Sequence, residues 1–186
     1  MSLKFTLHGS DYIFGGMDKL LSKDWTFNQF VDRYTYIKPE NVLNNPVNME
    51  YLFERYRTGP NSIDYMSFLS VVSTDESLAS YSNAFTVAEM NYYDPYERFC
   101  LAEKLDLQKI RNGESKYLIR ELFKCKYPNI PVPEKLPMSR PVDDYFRDWA
   151  GPKRNEFKKN LDMSQFPGNQ KWQHWCLERF LSVYDS

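Results

Sequence analysis

The sequence predicts a mainly helical fold with at most one vestigial strand near the N-terminus. Three observations carry that expectation. Strict apolar–polar alternation is almost absent after Leu7, apolar residues recur at helical spacing, and helix-start signals stand at Thr26 and Asp94. A chain of 186 residues with 42% hydrophobic content can bury one core of ordinary size, so residues 1–186 are expected to form a single domain.

Taken in order, Lys4 to Leu7 reads as the one convincing strand. It stops at His8-Gly9-Ser10-Asp11-Tyr12-Ile13-Phe14-Gly15-Gly16, a turn that holds three of the seven glycines. Thr26 with Gln29 makes a capping box ahead of Phe27, Phe30, Val31 and Tyr34, which lie at helical spacing. Asp94-Pro95-Tyr96-Glu97 gives an Asp cap, Pro at the first helical position and Glu at the third, and predicts a helix over about 95–105. Asn112-Gly113 then breaks the chain. A helix is expected to restart over 114–126, with Leu118, Ile119, Leu122 and Phe123 on one face and Lys116, Arg120 and Lys124 on another. Six of the eleven prolines fall between Pro128 and Pro152, so 128–152 reads as an extended, semi-rigid crossing with one short helix over 142–149. A last helix is expected over 169–183, burying Trp172, Trp175, Cys176 and Phe180.

The charge balance narrows the partners. Lys and Arg total 24 against 25 Asp and Glu, so nothing advertises nucleic acid or an anionic membrane. Three scattered cysteines without a C-x-x-C pair, and only two histidines, fit a reducing compartment and argue against a zinc site. The first ten residues lack the apolar core of a signal peptide, and no run approaches the ~18 apolar residues of a membrane helix. A cytoplasmic location is the expectation.

A strand that ends in Gly-Ser-Asp and runs into a helix offers backbone N–H groups, a hydroxyl and a carboxylate. Such N–H groups attract anions, and a carboxylate beside them makes sense where a divalent cation bridges it to phosphate. Taken alone, the turn reads first as a tight connection, and the basic stripe first as a solvated surface.

Order along the chain adds to this. The stretch LHGSDYIFGG resembles the SGEGSDEVFGG turn of asparagine synthetases, NYYDPYERF resembles their VPFLDHxxVEF stretch, and KIRNGESKYLIRELFK is similar to their K…GxxKxxLRE helix. PMSRPVDDYFRDW stands where that family has a basic, proline-bearing segment before a terminal helix. These segments, in family order over residues 4 to about 182, resemble the helical C-terminal portion of an α/β ATP-pyrophosphatase-type synthetase domain. The resemblance implies activation of a carboxylate by ATP with magnesium, release of pyrophosphate, and displacement of AMP by ammonia or an amine. It implies that Gly9, Ser10 and Asp11 bind the cofactor, that Asp11 stands at the metal, and that Lys116 is catalytic, contacting phosphate and stabilising the activated intermediate. It also suggests a role in surface polysaccharide biosynthesis.

The departures are specific. His8 and Tyr12 stand where the family has acids, and Glu89, Asn91 and Tyr92 replace its arginine, proline and phenylalanine, which argues against aspartate as the carboxylate. The phosphate-cradling S-G-G-x-D-S loop does not occur in the sequence. The chain is therefore expected to be a fragment whose partner is the nucleotide-binding portion of the same domain, inactive alone and binding no ATP or magnesium tightly. The alternative is a degenerate, non-catalytic helical module used for interaction or scaffolding.

Overall fold

A computed structural model describes residues 3–5, 9–72, 79–96, 99–132 and 141–185. It is mainly helical. In chain order the elements are β1 (Leu3–Phe5), α1 (Gly9–Ile13), α2 (Asp18–Leu21), α3 (Phe27–Tyr34), α4 (Pro39–Val42) and α5 (Met49–Phe53). Strands β2 (Arg57–Gly59) and β3 (Ser62–Ile63), helices α6 (Tyr65–Val71) and α7 (Ala79–Val87), and β4 (Asn91–Tyr93) follow. The chain continues through α8 (Leu107–Arg111), α9 (Tyr117–Lys126), α10 (Val142–Tyr145) and α11 (Gly168–Tyr184). Among the described residues, no helix is long and apolar enough to cross a membrane, and Cys100, Cys125 and Cys176 are free thiols.

Contacts divide the chain into two compact units, one of Met1–Phe27 with Tyr56–Glu134, the other of Asn28–Arg55 with Lys135–Ser186. In the first, β1 runs parallel to β4, Leu3 opposite Asn91 and Phe5 opposite Tyr93. β4 is too short to show alternation, and the sequence reading has no strand there. Helix α2 packs against α8, and Phe14, Leu20, Leu21, Phe27, Ile63, Leu69 and Ile110 form the buried core. Beside that core, Arg111 grips Asp24 with both terminal nitrogens, at 2.7 and 3.3 Å, and Tyr65 donates to the same carboxylate. The Arg111 guanidinium holds the Asp24 carboxyl below the usual carboxylate range.

Two expected helices are corrected in this unit. The helix expected over 95–105 is absent from its described part: residues 95–96 form a turn, 97–98 lie outside the described residues, and 99–106 are irregular. Helix α8 starts instead at Leu107, where the Asp106 carboxylate accepts the N–H groups of Gln108 and Lys109 at 2.9 and 3.2 Å. The helix expected over 114–126 begins at Tyr117. Gly113, at φ +94°, closes α8 in a Schellman turn: Gly113 N–H donates to the Ile110 carbonyl and Glu114 N–H to the Lys109 carbonyl. That turn uses the residues that would have begun the next helix. Of the expected apolar face, Leu118 and Leu122 are exposed, and Tyr117 is the residue that buries.

In the second unit, α10 packs against α11, and the Asp143 carboxylate accepts the first N–H of α11, from Gly168, at 2.6 Å. A single antiparallel bridge joins Leu43 to Phe157, and the Asn44 amide donates to the carbonyls of Asn155 and Phe157. Phe30, Val42, Phe53, Phe157 and Met163 supply its core. Helix α10 ends at Tyr145 rather than Trp149, and of the expected 128–152 crossing, residues 133–140 lie outside the described part. Helix α11 matches the expected span, but its face is corrected. Trp172 and Phe180 are 47% and 64% exposed, whereas His174 is the side chain that buries, at 2%.

His174 lies between the rings of Phe166 and Phe157, with centroids 4.9 and 6.2 Å away, and among the described residues neither ring nitrogen has a well-formed hydrogen bond. Burial lowers its proton affinity below that of a free histidine, and the Gln170 carbonyl one turn earlier offsets this only in part. The unfolded chain therefore takes up this proton more readily than the folded one. Stability should be full above pH 6.5, the ordinary histidine value, and should fall as the pH drops below it. Urea unfolding at pH 7.5 and 5.5 checks this, and His174→Phe, which seats an uncharged ring among rings, should flatten the difference.

Candidate functional site

The turn from Gly9 to Gly16 is built on α1 and held from outside by Asp94. The carboxylate of Asp94 is 1% exposed and accepts two backbone N–H groups, Gly9 at Oδ2 and Tyr96 at Oδ1, each at 2.9 Å. The first contact ties the start of α1 to the end of β4, 85 residues away in sequence. Phe14, buried just after α1, stacks edge-on against Tyr96 at 5.6 Å and tilts against Phe99 at 5.8 Å. A buried carboxylate bond and a ring cluster thus fix the two ends of the turn.

On this frame the three expected side chains come together. Lys116 forms an ion pair with the Asp11 carboxylate and donates to Ser10 Oγ at 3.3 Å, across 106 residues of sequence. The expectation that Lys116 lies in the first turn of its helix is corrected. It immediately precedes α9, with a left-handed backbone at φ +54°, and Asp11 is the third residue of α1. The Lys116 and Asp11 side chains remain 32% and 45% exposed, so a solute can reach both.

Gly16 forms the wall behind the pair. A Cβ there would lie 2.5 Å from Lys116 Cε, 2.9 Å from Asp11 Cα, and closer still to Asp11 Oδ1. The absence of a side chain is what lets the lysine arm lie across the turn. Gly9 contributes its N–H to Asp94 rather than to the open face. His8 lies outside the described residues. Tyr12 turns away from the pair and donates to Ser70 Oγ at 3.2 Å.

Two neighbouring cations have structural partners. Arg111 is held by Asp24, and Lys109 pairs with Glu121 at 3.4 Å and sits 4.7 Å from the Tyr117 ring centroid. Arg120 and Lys124 are exposed on α9. Two contributors were missed by the sequence reading: Asp94 as a clamp on the turn, and Gly16 as the wall behind Lys116. The Gly15-Gly16 pair carried a signal for the second; nothing local signalled the first.

In chemical terms the site offers an ammonium, a hydroxyl and a carboxylate on one open turn. Among the described residues no three His, Cys, Asp or Glu side chains gather as a preformed metal cage. Magnesium does not require one, because it is commonly held by one or two carboxylates with phosphate oxygens and water completing its shell. Asp11 and Ser10, both hard oxygen donors, fit that set. Comparison of the chain with protein-family models, with curated proteins and with solved structures gave no match.

The packing at Gly16 makes a direct prediction. Gly16→Ala should destabilise the fold by about 1–3 kcal/mol through overpacking. Combining it with Lys116→Ala, which removes the crowded Cε, should cost clearly less than the sum of the two single changes. Denaturant unfolding of the four proteins measures both.

Proposed function

We propose that Ser10, Asp11 and Lys116 form the magnesium–pyrophosphate side of the ATP site of an asparagine synthetase-like, AMP-forming amide ligase. In this reaction ATP activates a carboxylate, and ammonia or an amine then displaces AMP. One observation carries the reading. Three groups named by the resemblance, from two segments more than a hundred residues apart, converge on one accessible turn.

Each residue has a definite task in this reading. Lys116 exchanges the Asp11 carboxylate for a phosphate oxygen and neutralises charge that develops as pyrophosphate leaves; its flexible four-carbon arm permits the move. Ser10 donates its hydroxyl to a neighbouring phosphate oxygen. Asp11, released from Lys116, would hold the magnesium. When bound, that ion supplies charge neutralisation on the leaving phosphates. The absent Cβ of Gly16 lets the Lys116 arm and the Asp11 carboxylate pack against the turn.

The reading requires a nucleotide-binding portion carrying the S-G-G-x-D-S loop, which this sequence does not contain. By itself the chain is not expected to hydrolyse ATP. A second reading, a non-catalytic helical module, is favoured by one feature: Asp11 and Lys116 already neutralise each other. In that case the pair is only a surface staple, a kind of contact usually worth about 0–1 kcal/mol.

Calorimetric titration with magnesium pyrophosphate separates the two. The ligase reading expects weak binding that Lys116→Ala reduces about tenfold or more and that Asp11→Asn makes insensitive to magnesium. Equal binding by all three proteins, or no binding by any, supports the module instead. If a loop-bearing portion restores ligase activity, Lys116→Ala should cut turnover by ~3 kcal/mol, about a hundredfold, with little change in substrate binding.

A further inference from the structure

Two concavities adjoin in the second unit, with Ala150, Gly151 and Lys153 common to their linings. One, of about 410 Å³, is walled by Trp149 and Trp175 and bordered by Arg179, with the carboxylates of Asp148 and Glu178 also in its lining. The other, of about 290 Å³, lies within residues 150–161 and is lined by Lys153, Arg154, Lys158 and Lys159 with no acidic side chain. An aromatic wall therefore opens directly into a basic loop.

The four cations of that loop are not equivalent. Arg154 is engaged by Glu156 and Asp185, and Lys158 donates to the Glu40 carbonyl. Among the described residues no carboxylate stands within ion-pair range of the Lys153 or Lys159 ammonium groups. Two exposed like charges share the loop concavity, whose own lining holds no carboxylate, an arrangement that a bound anion relieves. The loop that presents them is held in place. Glu178 Oε1 accepts the backbone N–H groups of Lys153 and Arg154 at 2.6 and 3.2 Å, and buried Phe157 bridges to Leu43. An incoming anion has little of the loop to order.

The aromatic part is equally fixed. Phe146 packs edge-on against both indoles, 5.7 Å from Trp149 and 6.3 Å from Trp175, and the Arg179 guanidinium lies 5.4 Å from the Trp175 ring centroid. Indole surface and guanidinium are thus offered side by side.

We propose that the joined concavities bind a small phosphorylated ring compound, a sugar phosphate or a mononucleotide. Its ring lies along Trp149 and Trp175, and its phosphate lies between Lys153 and Lys159. A phosphate suits the loop better than a single carboxylate, because its charge of nearly two matches two unpaired ammonium groups. The site is in the unit that does not hold Asp11 and Lys116, and it does not rest on the function proposed for them.

The test is a titration of the full chain, followed by the indole N–H and backbone amide resonances. The probes are glucose 6-phosphate, adenosine monophosphate, glucose and inorganic phosphate. At least one of the two phosphorylated ring compounds should shift the Trp149 and Trp175 signals, and the tighter of them identifies the ring. Glucose should leave the spectrum unchanged, and inorganic phosphate should bind about tenfold more weakly or worse. Replacing both lysines, Lys153→Gln with Lys159→Gln, should weaken binding about tenfold or more. Both side chains are exposed, and an unaltered amide spectrum outside the loop checks the fold; raising the salt concentration on the unaltered chain gives the same reading without a variant. The proposal is overturned if neither ring compound moves the indoles, if inorganic phosphate binds as tightly as they do, or if the lysine replacement and added salt leave binding unchanged.

Discussion

The candidate site depends on one buried carboxylate. Asp94 gives one oxygen to its own turn, at Tyr96 N–H, and the other to Gly9 N–H at the start of α1. A carboxylate that is almost fully buried is costly to desolvate, and hydrogen bonds from backbone donors are what make the burial tolerable. Because Gly9 lies 85 residues from Asp94 in sequence, the same pair of bonds sets the position of α1 beside the end of β4. Asp11 then projects two residues into α1, and Lys116 meets it from the residue preceding α9. Without the clamp, the turn would be an ordinary glycine-rich loop with one end free.

The mainly helical class was legible, as were the helix that follows Thr26 and the last helix. What failed failed for non-local reasons. Asp-Pro-x-Glu is a sound local signature of a helix start, but Asp94 is committed through Oδ2 to Gly9, a contact that no window around residue 94 contains. Lys116 was singled out in the sequence, yet its left-handed backbone, just beyond the Schellman turn that Gly113 closes behind α8, has no local signal. Strand β4 is three residues long, below the length at which a two-residue period can be seen, and its pairing with β1 is parallel and remote.

Helix α11 teaches a different lesson. Its span was expected over 169–183, but Trp172 and Phe180, expected inside, are exposed. Aromatic residues are distributed around much of this helix, so periodicity alone does not choose a face. The choice falls to shape: the imidazole of His174 fits between Phe157 and Phe166, and burying it leaves Trp175 half-buried beside Phe146. The aromatic abundance of the sequence thus serves two ends in this unit, a core built of rings and a wall of partly exposed indole.

The claim that Asp94 holds the turn is tested most directly by hydrogen exchange at the Gly9 amide. The account predicts slow exchange, at the level of the most protected core amides of the first unit, and its loss in Asp94→Ala along with a displaced Lys116 side-chain signal. Gly9 exchange as fast as in an unstructured peptide, or a Lys116 signal unmoved by Asp94→Ala, would contradict it.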